Sequence, residues 1–259
     1  MNRIQQLFER KQTDILSVFF TAGYPRLDDT VPIIEALAQA GVDMIEIGMP
    51  YSDPIADGPV IQMSNTVALA NGISLEHIFD QLADIRQRVD TPLVLMGYIN
   101  PVMQYGVGRF VAQAAATGID GVILPDLPMY EYRAFYQPLF EAAGLRNIFL
   151  ITPQTSDARI REIDAVSEGF IYMVSTDSTT GRTGSFDEVQ QAYFARVAAM
   201  GLRNPRLIGF GIHDHATYRA ACDHAQGAII GSAFIKALGA YAESPDTVVG
   251  AFVRRIRQG

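Results

Sequence analysis

A single cysteine, Cys222, occurs in the 259-residue chain, so no intrachain disulfide can form. The four histidines, His77, His213, His215 and His224, do not combine with it at the spacing of a structural zinc site. No uninterrupted apolar run approaches the roughly 18 residues of a membrane span, and the opening residues mix charges without an apolar signal core. The expected location is the cytoplasm. Positive charge is also scarce, with 20 Lys and Arg against 28 Asp and Glu and a net charge of −8. That balance disfavours a sequence-independent grip on nucleic acid or anionic lipid, so a small anionic ligand would need local donors. Set against these absences are 49% apolar and only 19% charged residues, enough to bury a sizeable core.

Short apolar runs rich in β-branched residues alternate with amphipathic stretches. The runs are Ile15–Phe20, Met44–Gly48, Leu93–Tyr98, Gly121–Leu124, Asn147–Ile151, Phe170–Val174, Leu207–Phe210 and Ala228–Ile230. Eight such units in a chain of this length predict an α/β fold, a single (β/α)8 TIM barrel spanning 1–259 as one domain, with Asn2–Lys11 as a short N-terminal helix closing its floor. A doubly wound open sheet is the competing architecture, but the Gly-x-Gly-x-x-Gly turn it would carry after Phe20 is missing. Helices are expected to start at Asp28-Asp29-Thr30, at Ser74 and at Ser244-Pro245-Asp246, with Gly41, Gly118 and Gly144 following helix ends. Two connections exceed a plain βα turn, from Met49 to about Leu75 and from Ser175 to about Asp187. These extended loops after strands 2 and 6 lie on the face where barrels place their chemistry.

Strand parity in Met44-Ile-Glu-Ile-Gly48 sends Ile45 and Ile47 to one face and Met44, Glu46 and Gly48 to the other. The isoleucines suit the layer against the helices, so Glu46 points into the barrel near its mouth, where lost hydration raises a carboxyl pKa. No Lys or Arg lies between Arg26 and Arg86, so compensation would have to come from a distant strand, for instance from Arg146 or Arg182. Glu46 is then either a buried structural ion pair or a general acid/base near neutral pH. Three prolines and Gly58 restrict the loop Met49–Val60, which could fix Asp53 and Asp57 in place or merely use them as turn acceptors. Gly209-Phe-Gly211 and Gly231-Ser232 end the seventh and eighth strands, where barrels often bind phosphate through exposed amides and a helix N-terminus. The small, polar connection Ser175–Phe186 reads as a mobile lid or a plain solvated loop. Tyr172 shares inward parity with Phe170 and Val174, lining the pocket or simply filling the core. His213 and His215 suit first-turn or surface roles better than metal ligation, since no third ligand is in view.

The stretch Glu46-Ile-Gly-Met-Pro-Tyr-Ser-Asp-Pro-Ile-Ala-Asp-Gly-Pro-Val-Ile-Gln62, as a whole, closely resembles the tryptophan synthase alpha subunit family. Phe19-Phe-Thr-Ala-Gly-Tyr-Pro25, Leu95-Met-Gly-Tyr-Ile-Asn-Pro101, Leu124-Pro-Asp-Leu-Pro128, Gly209-Phe-Gly211 and Gly231-Ser232 extend the likeness over nearly the whole chain. The resemblance implies a barrel lyase that cleaves indole-3-glycerol phosphate to indole and glyceraldehyde 3-phosphate and passes indole to a beta subunit in an alpha2beta2 complex. Pyridoxal phosphate is expected on that partner and no cofactor on this chain. By the same resemblance Glu46 is the proton shuttle, and Asp57 is the carboxylate that accepts the indole N–H. Phe19, Met96 and Tyr172 surround the indole, and Thr180 and Gly181 belong to the lid. Gly181, Gly211, Gly231 and Ser232 contact phosphate, with Phe210 completing the substrate-binding set, and Asp53 and Pro54 face the partner.

Two positions depart from the family pattern: Ser178 replaces a lid glycine, and His213 stands where Ser is usual after Gly-Phe-Gly-Ile. Neither touches Glu46 or Asp57. Three alternatives remain beside the leading reading. The first is an autonomous indole-3-glycerol phosphate lyase, and the second a catalytically weak regulatory subunit that binds phosphate. The third is another phosphosugar barrel such as an isomerase, for which apolar Phe19 and Met96 would be hard to explain.

Overall fold

The computed structural model describes residues 2–175, 186–239 and 244–259. Eight strands, β1 (Ile15–Thr21), β2 (Met44–Gly48), β3 (Leu93–Met96), β4 (Gly121–Ile123), β5 (Arg146–Ile151), β6 (Ile171–Val174), β7 (Arg206–Gly209) and β8 (Gly227–Ile230), pair in sequence order. They close into a parallel barrel in which β1 bonds both β2 and β8, the (β/α)8 architecture. Strand ends differ from the sequence expectation by one or two residues. β3 stops at Met96, with Gly97 and Tyr98 leading into the helix Ile99–Tyr105, and β7 stops at Gly209 because Phe210 takes a positive φ of 67°.

Register carries the parity argument around the barrel. Phe19 lies beside Glu46, Glu46 beside Val94 and Gly48 beside Met96, while Leu150 lies beside Tyr172 and Tyr172 beside Leu207. Side chains of paired residues in parallel neighbours share a face, so one inward set runs through all eight strands. Its lower layer is apolar, with Ile15, Met44, Val94, Ile123, Ile148, Leu207 and Ile229 in one buried cluster. The helix Arg3–Arg10 closes the floor by adding fully buried Ile4 and Leu7 to that cluster, a pair spaced for one helix face. Asn2 fixes the helix start: its side chain accepts from Ile4 N at 2.9 Å and donates to the Asp120 and Gly144 carbonyls. A larger cluster between barrel and helices takes the opposite parity, including Ile45 and Ile47.

Asp120, 3% exposed, ties the floor together. It pairs with Arg86 and accepts from Leu93 N at 3.0 Å and from Arg3. Ser74 and Ser244 cap their helices as expected, accepting from His77 N and Asp246 N. Asp29 instead bonds back to Arg26 N, across the single 3-10 turn Leu27–Asp29 that precedes the helix Thr30–Gln39. The long connection after β2 is only partly loop, because Pro59 at the first helical turn starts the helix Pro59–Ala70 inside it.

Candidate active site

Glu46 is fully buried at the centre of the inward set. Ser17 Oγ donates to its Oε1 at 2.8 Å, while Oε2, also buried, has no hydrogen-bond partner among the described residues. No ion pair among those residues reaches it. Arg146, a possible counter-ion by sequence, sits at the start of β5 and pairs with Glu168, with Gln5 Oε1 also in reach at 3.4 Å. Arg182 lies outside the described residues. Burial therefore pushes the Glu46 carboxyl up to about 7, the Ser17 hydrogen bond opposing the rise.

Asp57 stands in the proline-restricted loop above β2. Burial raises its carboxyl, and hydrogen bonds from Tyr98 and Asn65 work against that rise. Asn65 Nδ2 lies 3.4 Å from Asp57 Oδ2, and the Tyr98 hydroxyl accepts from Ala56 N at 3.0 Å. Gln62 Nε2 donates to the Asp57 carbonyl at 2.7 Å, so the loop is anchored from the following helix and from the end of β3. Burial foremost drives the Tyr98 phenol up to about 12, with the Asp57 charge adding to it. Asp57, Phe19 and Met96 line one cavity with Ile61, Asn65 and Tyr98. Tyr172, 4% exposed, has its phenol held far above the usual range, first by burial and then by the Glu46 and Asp57 charges.

Glycines leave the room these aromatic rings occupy. A β-carbon on Gly48 would fall 2.6 Å from Phe19 Cζ, and one on Gly209 would overlap the Tyr172 ring. Phe210 lies tilted on Tyr172, ring centres 6.2 Å apart. Gly211 follows with φ 75°, a conformation glycine adopts without a Cβ clash. Ser175 Oγ donates to the Phe210 carbonyl at 2.7 Å, and the His213 Nδ1 lies 2.8 Å from the Gly211 carbonyl. Gly231 precedes the helix Ser232–Leu238 and lies close to Phe19: a β-carbon there would come within 3.2 Å of its ring. The two turns expected to bind phosphate thus flank the aromatic pocket.

Among the sequence-derived site residues, Phe19, Glu46, Asp57, Met96, Tyr172, Phe210, Gly211 and Gly231 gather at the mouth of the barrel, with Ser232 opening the adjoining helix. Asp53 is exposed on the loop rim and Pro54 half-buried. Thr180 and Gly181, with Ser178, lie outside the described residues. Ser17, Asn65, Tyr98 and Ser175 join the site without a sequence expectation behind them. Ser17 left a signal, a lone hydroxyl at inward parity in an otherwise apolar run. Asn65 and Tyr98 left none, since Asn65 reaches Asp57 through the packing of the helix Pro59–Ala70 and Tyr98 through the placement of the chain after β3. His215 stands in the first turn of the helix His215–Cys222 and His213 is exposed just before it, the first-turn and surface roles expected, while Asp214 between them caps the helix, accepting from Thr217 N at 2.8 Å.

The family model of the tryptophan synthase alpha chain matches residues 4–257. The tryptophan synthase alpha chain of Christiangramia forsetii is 54% identical over 257 residues, covering 99% of each chain, and that of Flavobacterium psychrophilum is 56% identical, covering 92% of this chain and 94% of the relative. Among solved structures, the alpha chain of Legionella pneumophila superposes with a TM-score of 0.87 at 33% identity, covering 100% of this chain and 97% of the other. A chain of the tryptophan synthase complex of Pyrococcus furiosus gives 0.85 at 31% identity, covering 95% of this chain and 98% of its own. With its barrel, its buried Glu46 and its glycine-bordered aromatic pocket, this chain belongs to the tryptophan synthase alpha chain family.

Proposed function

We propose that Glu46 and Asp57 carry out the family's carbon–carbon lyase reaction in this chain, the aldol cleavage of indole-3-glycerol phosphate to indole and glyceraldehyde 3-phosphate. The observation that carries this reading is Glu46 Oε2, buried without a partner among the described residues on a carboxyl raised to about 7. A structural carboxylate would be paired, whereas a group poised near neutrality both gives and takes a proton. The Glu46 acid protonates the indole ring at C3, which leaves positive charge on the ring nitrogen. Asp57 accepts the N–H and stabilises that charge. The Glu46 carboxylate then removes the proton from the glycerol hydroxyl next to the breaking bond. That oxygen becomes the aldehyde carbonyl, and the electrons of the carbon–carbon bond return to the ring and restore indole. Glu46 ends as it began, protonated.

Phe19, Met96 and Tyr172 hold the ring, and the turns at Gly211 and Gly231-Ser232, with Phe210 between strand and turn, receive the phosphate through backbone amides. Thr180 and Gly181 belong to the lid in this reading. Asp53 and Pro54 face a beta subunit that bears pyridoxal phosphate and takes up the indole in an alpha2beta2 complex. The Pyrococcus furiosus relative was solved as a tryptophan synthase complex, which supports a partner. Ile55, 82% exposed beside Pro54, would add an apolar side chain to that contact. The 1–259 chain works as one barrel domain. No helix among the described residues is long and apolar enough to cross a membrane, which agrees with a cytoplasmic site of action. The test follows indole release from indole-3-glycerol phosphate by the chain alone and with a beta subunit added, for the parent and for Glu46→Gln. Release by the parent and its loss in the variant support the reading, and equal release by both overturns it.

A further inference from the structure

Among the described residues, the only hydrogen bond to the Glu46 carboxyl comes from Ser17, one strand away. Both side chains are fully buried, and the inward-facing residues paired beside them are Met44 next to Ser17, and Phe19 and Val94 next to Glu46. A lone hydroxyl in such surroundings is costly unless bonded, and Ser17 is bonded to one carboxyl oxygen alone, leaving the other bare. The partner type matters. A cation in this place would hold Glu46 permanently ionised, and an apolar side chain would hold it permanently neutral. A hydroxyl serves both states, because it donates to Oε1 whether or not Oε2 bears a proton.

Resting on the reading of Glu46 as proton carrier, we propose that Ser17 is a positioning residue that occupies Oε1, so that Oε2 is the oxygen through which the proton leaves and returns. The groups facing this carboxyl fit that assignment. Its own strand presents Met44 and Gly48, β1 presents Ser17 and Phe19, and β3 presents Val94 and Met96, none of them ionisable. The ionisable groups nearby are the Tyr172 phenol across the barrel, whose own ionisation the Glu46 and Asp57 charges oppose, and the Asp57 carboxyl above, and neither hydrogen-bonds Glu46. Ser17 is therefore the one described contact that favours the ionised form of Glu46, and its removal leaves nothing to oppose desolvation.

The test compares the parent with Ser17→Ala and Ser17→Cys, with thermal melting to verify folding. NMR on glutamate-labelled chain, its Glu46 signal assigned with Glu46→Gln, reads the titration midpoint of that side chain directly. The pH profile of indole release reads the reaction. Ser17→Ala is expected to move both midpoints up by about one pH unit, since a donor to the charged form is lost. It should also lower kcat roughly ten-fold with KM nearly unchanged, and Ser17→Cys, a weaker donor of similar shape, falls between. An unmoved Glu46 midpoint in folded Ser17→Ala overturns the proposal. A midpoint that moves while the rate profile stays still also overturns it, because Ser17 then tunes a carboxyl that does not carry the reaction's proton. Failure of the underlying reading shows elsewhere, as undiminished activity in Glu46→Gln.

Discussion

At the scale of single residues, a carboxyl raised to about 7 in the folded chain binds its proton more tightly than the same group in the unfolded chain, near 4.5. The stability this group contributes is complete below about 4.5 and is lost as pH rises through 7. Glu46→Gln removes the titration, so its stability relative to the parent should grow by about 3 kcal/mol between pH 4.5 and pH 8, as denaturant unfolding at the two pH values would reveal. The same substitution should cut indole release by roughly 10² or more, because the amide keeps the shape and cannot exchange the proton. A stabilised, inactive variant is the signature of a functional carboxyl. A variant that is active, or that loses stability at pH 8, contradicts it. Asp57→Asn should also lower kcat sharply, measured by the same assay, since a neutral amide cannot balance charge on the ring. Much of this was legible in the sequence, because strand parity alone turns Glu46 inward, away from Ile45 and Ile47. Its nearest cation could not be read that way, and Arg146 proves to be committed to Glu168 at the opposite end of its strand.

At the scale of elements, the floor of the barrel depends on one buried acid. Asp120 joins Arg86, the backbone of β3 at Leu93 and the start of the helix Arg3–Arg10. Asp120→Ala would strand the largely buried Arg86 guanidinium, and removing one member of such a pair typically costs about 3–5 kcal/mol. Thermal unfolding of the variant should therefore begin well below that of the parent, while the lyase rate per folded molecule stays near normal because the site lies at the other end. Eight apolar runs alternating with amphipathic stretches were enough to foresee the barrel, since each strand must be buried on both faces and therefore stands out from its surroundings. The helix Pro59–Ala70 was hidden, because the residues it buries are Ser64, Asn65 and Ala68 rather than a large aliphatic stripe. The two polar side chains turn inward because they meet Thr21 and Asp57, at 2.7 Å and 3.4 Å, and such pairings belong to tertiary structure.

At the scale of the whole molecule, the candidate site stands on the apolar floor of one closed cylinder. The apolar layer and its helical plug hold the lower end, and the fully buried Glu46 carboxyl lies just above. Deleting residues 2–11 should expose the cluster around Ile123 and Leu207, giving a chain that binds hydrophobic dyes and melts without a sharp transition. A truncated chain with the parent's cooperative melting would show that the barrel closes unaided. Sequence parity separated the inward face from the outward one, yet it left open which strands meet across the barrel, because closure decides that Tyr172 on β6 shares its surroundings with Glu46 on β2.

The absence of side chains at Gly48 and Gly209 reaches beyond packing. Each leaves room for a neighbouring aromatic ring, and because Phe19 lines the cavity beside Gly48, shaving it to leucine should widen the chamber there. Larger heterocycles, such as halogenated or methylated indoles, could then be accommodated by a one-residue edit, and relative turnover of such analogues by Phe19→Leu against the parent would measure how far that tolerance extends.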